Sequence, residues 1–166
     1  MARIALRLGL VVAALASAAP AAPARGQTPP SAADSAAIRA AALDYVEGWY
    51  AGDAARMARA VHPELAKRIV RENPENGRSR LDQMGAMSLV EGTGRGGGRD
   101  TPAAQRQRDV VVLDVFENAA SARATMSGWV DYMHLGKSNG QWKIVNVLWA
   151  LRPEGGQGGP GAAARR

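Results

Sequence analysis

Asp131 stands in Trp129-Val-Asp-Tyr-Met133, where alternation puts its carboxylate on the same strand face as Trp129 and Met133. A carboxylate set among apolar neighbours is a candidate general base, with His62 or Tyr45 as the proton donor. If Asn139-Gly140 makes a two-residue turn, Asn146 falls diagonally opposite Asp131 and could orient it. The plainer alternative is that Asp131 and Asn146 satisfy one another, or the backbone, in a half-buried sheet. His62, directly before Pro63 at a helix end, suits a C-terminal helix cap better than it suits catalysis. Tyr45, Trp49, Trp129, Met133 and Asn146 could together line a pocket for a flat ring, whose face stacks and whose edge hydrogen-bonds.

Other chemistries find little footing. With no Cys in 166 residues, the chain has no thiol nucleophile, Cys-liganded zinc, disulfide or Cys-linked lipid. Its two His, His62 and His134, stand 72 positions apart with no H-x-x-x-H or H-E-x-x-H arrangement, so the sequence predicts no metal site. Gly92-Thr-Gly-Arg-Gly-Gly-Gly98 lacks the preceding strand and the Gly-Lys-Ser/Thr ending of a phosphate loop. No Ser sits in a G-x-S-x-G setting, and no cofactor is indicated.

The elements that must position these residues fall into a helical half and a strand half. From Asp34, Ile38, Ala42, Tyr45 and Trp49 recur at helical spacing, with Leu43, Val46 and Tyr50 widening the stripe. Asp34 or Ser35 can cap this helix and Gly52 can close it. Asp53 can then cap a short helix from Ala54 to Val61, ended by His62-Pro63. Leu65 to Val70 suits a strand or a further helical turn, and the spacing predicts a helix over Leu81 to Val90. The glycine-rich stretch from Glu91 to Asp109 is expected to be an unpacked loop.

After Arg108 the period becomes two. Asp109–Phe116 and Ala119–Met126 form a hairpin about Glu117-Asn118, with Val111, Leu113 and Val115 expected to share a face with Ala120, Ala122 and Ala124. A second hairpin turns at Asn139-Gly140, which favours type I′ because both central residues need positive φ. In that register Trp129, Asp131, Met133 and Leu135 face with Trp142, Ile144, Asn146 and Leu148, while His134, Tyr132, Val147 and Trp149 take the other side.

Both ends are expected to lie off the folded unit. Residues 1–27 have the pattern of a cleaved secretory signal: Arg3 and Arg7, an apolar run from Leu8, then small residues before Gln27. The uncharged stretch is short and broken by Pro20 and Pro23, which argues against a stable membrane anchor. Residues 28–33 form a linker, 34–152 one domain, and 153–166 a disordered tail of Gly, Ala, Pro and Arg. A periplasmic or secreted location follows as an expectation. The formal charge of +6 shrinks to +2 over residues 34–152, and no aromatics interleave the mid-chain arginines, so no nucleic-acid partner is expected.

The strings Asp44-Tyr-Val-Glu-Gly-Trp-Tyr-Ala-Gly-Asp53, His62-Pro-Glu-Leu-Ala-Lys-Arg68, Asp109-Val-Val-Val-Leu-Asp-Val-Phe-Glu-Asn-Ala-Ala-Ser121, Val130-Asp-Tyr-Met-His-Leu135 and Trp142-Lys-Ile-Val-Asn-Val-Leu-Trp149, in that order, resemble the secreted bacterial "putative lumazine-binding" group of the nuclear transport factor 2-like superfamily. The resemblance implies an α+β fold of nuclear transport factor 2-like or cystatin-like type, a cone-shaped curved antiparallel sheet wrapped over N-terminal helices around a pocket. It also implies a homodimer through the sheet and a small apolar or aromatic ligand. Enzymes that resemble it on this fold place a carboxylate or His in the cone to move protons, which would give Asp131 and His62 catalytic roles in an isomerase, dehydratase or cyclase. A non-catalytic interaction module whose cone is filled by its own side chains is the third possibility.

Overall fold

The computed structural model describes residues 31–153. The expected signal, residues 28–30 of the linker and nearly all of the tail lie outside the described residues. Helices α1 (Ala32–Ala51) and α2 (Ala54–Ala60) are followed by strands β1 (Val61–Glu72) and β2 (Ser79–Gly85), helix α3 (Ala86–Gly94), and strands β3 (Asp109–Phe116), β4 (Ala119–Thr125), β5 (Trp129–Ser138) and β6 (Gln141–Leu151). The six strands make one sheet in the order β2-β1-β6-β5-β4-β3. Every pairing is antiparallel except β1 with β6.

α1 begins earlier than its spacing suggests. Ser31 is the cap, its hydroxyl accepting from the Asp34 amide at 3.0 Å, rather than Asp34 or Ser35. Asp34 is thereby free to reach the distant hairpin, accepting from Lys137 Nζ and Trp142 Nε1, each at 2.8 Å. Gly52 closes the helix at φ 65°, and the Asp53 side chain starts α2 by accepting from the Arg56 amide at 2.9 Å. The apolar stripe of α1 is buried at Ile38, Ala42, Tyr45, Val46 and Tyr50, with Leu43 and Trp49 partly covered. It packs against the sheet face carrying Leu65, Ile69, Ala122, Met133, Ile144 and Val147.

Several expectations need correction. Leu81 is in strand β2, not a helix: helical spacing yields here to hydrogen bonding along β1, which pairs Val70 with Leu81 and Lys67 with Met84. The helix starts only after Gly85 and runs into the glycine stretch as far as Gly94. The rest of that stretch does pack: the Gly98 amide donates to the Trp49 carbonyl at 2.9 Å, and a Cβ on Gly98 would meet Trp49 Nε1 at 2.5 Å. Glycine permits the chain to lie flat on the indole. α2 ends at Ala60, because Val61 already belongs to β1.

Each hairpin carries one extra residue that the alternation does not reveal. In β3 the register slips between Val112 and Asp114, so Val110 and Val112 oppose Ala124 and Ala122, and Val111 and Leu113 face outward instead. In β6 it slips at Val145. Asn139 (φ 50°) and Gly140 (φ 76°) do make the positive-φ turn, and Leu135 pairs with Ile144, but beyond the slip His134 pairs with Asn146 and Asp131 with Trp149. Val147 and Trp149 therefore join the inner face, and Asn146 and Leu148 leave it.

Candidate functional site

Between the inner face of the sheet, α1 and α3 lies a cavity of about 270 Å³. Tyr45 and Trp49 reach it from consecutive turns of α1, Leu89 from α3, Trp129 from β5 and Trp149 from β6, while Met84, Arg71 and Leu151 border it from β2, β1 and the end of β6. Its walls are dominated by three indoles arranged edge to face. Trp49 and Trp129 have centroids 5.9 Å apart at 85°, and Trp129 and Trp149 6.3 Å apart at 70°.

Lys67 supplies the polar floor. It alternates with Leu65 and Ile69 along β1, so strand geometry turns all three inward. Its Nζ donates to Asp131 Oδ1 at 2.7 Å and to Tyr45 Oη at 2.5 Å. Asp131 Oδ2 accepts from Trp129 Nε1 at 3.0 Å. Both partners are withdrawn from water, with side-chain exposures of 7% for Lys67 and 0% for Asp131. The ammonium also lies 5.0 Å from the Trp149 ring centre and 5.2 Å from that of Tyr45. Burial pulls the Lys67 pKa down, against the opposing pull of Asp131. Burial, reinforced by the Asp131 charge, pushes the Tyr45 hydroxyl well above the usual tyrosine range. The Tyr45 phenol, the Lys67 ammonium and the Asp131 carboxylate thus share one small buried site.

The candidate residues separate clearly. Tyr45, Trp49 and Trp129 line the cavity, and Asp131 closes its floor through Lys67. Met133 is buried on the same face without bordering the cavity. Asn146 does not orient Asp131: the slip at Val145 turns it outward, where its Oδ1 accepts from Arg68 at 2.9 Å and its Nδ2 lies 3.2 Å from His134 Nδ1. His62 stands at the irregular start of β1, its Nδ1 accepting from the Glu64 amide at 3.1 Å, and neither borders the cavity nor caps α2. Among the described residues no three His, Asp or Glu converge to hold a metal ion. No helix among them is long and apolar enough to cross a membrane.

Of the residues that line or border the cavity, sequence reasoning misses Lys67, Arg71, Met84, Leu89, Trp149 and Leu151. A lone cation alternating with Leu65 and Ile69 is the signal that marks Lys67, once the segment is taken as a strand. Trp149 carries no comparable signal, because its inward position depends on the slip at Val145.

Residues 33–150 match the family described as "Putative lumazine-binding". Among functionally curated proteins none matches this sequence. Solved structures with a similar fold include an NTF2-like protein of unknown function from Shewanella baltica, 20% identical, covering 74% of this chain and 96% of its own, with a TM-score of 0.56. Another, from Methylobacillus flagellatus, is 17% identical over 76% of this chain and 98% of its own, with a TM-score of 0.56. A protein of unknown function with a cystatin-like fold from Nostoc punctiforme is 14% identical over 75% and 95%, with a TM-score of 0.52. At these identities the likeness concerns the fold.

Proposed function

The chain belongs to the "Putative lumazine-binding" family, and from that premise we propose that its cavity binds a small, flat, largely apolar aromatic molecule. The observation that carries this reading is the cage of Trp49, Trp129 and Trp149 around about 270 Å³ of space. That volume approaches the usual range for small-molecule sites and is far larger than a packing defect. Indole faces offer stacking to a planar ring, and the Lys67–Asp131–Tyr45 cluster offers polar groups at one end to fix its orientation. The family name suggests a pteridine-like heterocycle as the first class to try.

Asp131 is less suited to act directly on a substrate as a free base than its sequence setting suggests. Each of its oxygens already accepts a hydrogen bond, one from Lys67 and one from Trp129. The open cavity also weighs against an interaction module whose cone is filled by its own side chains. A thermal-shift screen with flat heterocycles tests the proposal: hits should raise the melting temperature, and Trp149→Ala should abolish the rise. No shift with any of them would overturn it.

A further inference from the structure

We propose that Lys67 is a reactive amine that forms an imine with an aldehyde or ketone held in the aromatic cavity. This deepens the binding proposal and rests on it, since the carbonyl compound must first enter the cage.

The chain holds three lysines, Lys67, Lys137 and Lys143. Lys137 is tied to Asp34 at 2.8 Å and Lys143 lies against the Arg59 carbonyl, both at the periphery. Lys67 alone lines the cavity, buried beneath Trp149. A lysine in an apolar pocket yields its proton more readily than one in water, and the free amine is a nucleophile. Lowering of the Lys67 pKa by burial agrees with this placement.

The neighbouring groups complete the chemistry. Asp131, 2.7 Å away, can accept the proton that Lys67 gives up. The amine lone pair then forms a C–N bond to the carbonyl carbon as the carbonyl π pair moves to oxygen, near the hydroxyl of Tyr45, which lies 2.5 Å from Nζ. Transfer of a proton from nitrogen to that oxygen gives a neutral carbinolamine. Asp131 returns its proton to the hydroxyl, water leaves, and the nitrogen lone pair closes the C=N bond. One ammonium and one carbonyl become one iminium and one water, with no oxidant or reductant consumed. The charge is also conserved: the iminium keeps one N–H for Asp131, so the buried carboxylate never lacks a cation at either end of the reaction. The aromatic wall offers its faces to a conjugated aldehyde.

Reductive trapping tests this on the full chain. The protein is incubated with naphthaldehyde and cyanoborohydride, digested, and its three lysine-containing sites are compared by mass spectrometry. The expected result is a naphthylmethyl group on Lys67 in several-fold excess over Lys137 and Lys143, suppressed by excess naphthalenemethanol, which fills the cage without a carbonyl. Trp fluorescence with naphthalenemethanol alone reports binding separately. Quenching by the alcohol, with label spread equally or confined to Lys137 and Lys143, would overturn the imine and leave the binding reading intact. No quenching and no Lys67 label would overturn both. Lys67→Arg, which keeps the charge beside Asp131, should lose the label while staying folded; the wild-type site map decides the matter even if that variant does not fold.

Discussion

Lys67 on β1 and Asp131 on β5 form an ion pair 2.7 Å long across the inner face of the sheet, with β6 between their strands. It joins the floor of the cavity to one of the two central strands of the sheet. Trp129 donates to the other Asp131 oxygen, and Tyr45 accepts a second hydrogen bond from Lys67.

Breaking this pair from one side should be costly. Asp131→Ala leaves the Lys67 charge buried and unmatched, and should lower unfolding free energy by about 3–5 kcal/mol. Lys67→Met with Asp131→Asn removes both charges while an amide oxygen can still accept from Trp129, and should recover most of the loss. Urea denaturation of the single and double variants measures the coupling. Additive losses would show that the pair is not a unit.

Gly98 should resist even the smallest side chain. Its Cβ would fall 2.5 Å from Trp49 Nε1 and 2.6 Å from Cδ1, and the indole cannot give way without disturbing a cavity wall. Gly98→Ala should therefore cost about 1–3 kcal/mol and weaken ring binding as well. Equal stability and equal binding by thermal shift would refute the contact.

Acid sensitivity has an identifiable source in Asp34. Hydrogen bonds from Lys137, Trp142 and Ser31 hold its carboxyl at about 2, below the ordinary 3.8. Because the folded value is depressed, its stabilising contribution is present above pH 3.8 and is lost as pH falls toward 2. Asp34→Asn should flatten this part of a stability-against-pH curve, and an unchanged acid limb would contradict the assignment.

How much of this was legible in the sequence depended on how local the cause was. The Asn139-Gly140 turn and the inward face of Trp129, Asp131 and Met133 follow from residues within a few positions of one another. The far half of the same hairpin does not, since one extra residue at Val145 exchanges Asn146 and Leu148 for Val147 and Trp149. That exchange replaces the expected partner of Asp131 with an indole wall. β2 was hidden for a different reason: Leu81 and Met84 are spaced as on a helix, and only pairing with β1 draws them into a strand. Lys67 was visible in principle, as the one charge alternating between Leu65 and Ile69, but its role emerges only when β1 lies parallel to β6 and two strands from Asp131.

The family match carries the fold and ligand binding in general, and the wall residues carry the choice of ligand. Replacing Trp149 with Leu keeps an apolar wall but removes the ring, and should weaken aromatic ligands by about 0.5–1.5 kcal/mol. Calorimetric titration of an aromatic ligand against its saturated-ring analogue would show this as a loss of discrimination between the two. Retained discrimination would place the stacking surface elsewhere.

The most direct test of the central claim is a Trp fluorescence titration of the full chain with naphthalenemethanol, run beside Trp149→Ala. The wild type should show saturable quenching that the variant loses. Fluorescence that does not respond, or that responds equally in both proteins, would contradict a ligand seated among Trp49, Trp129 and Trp149.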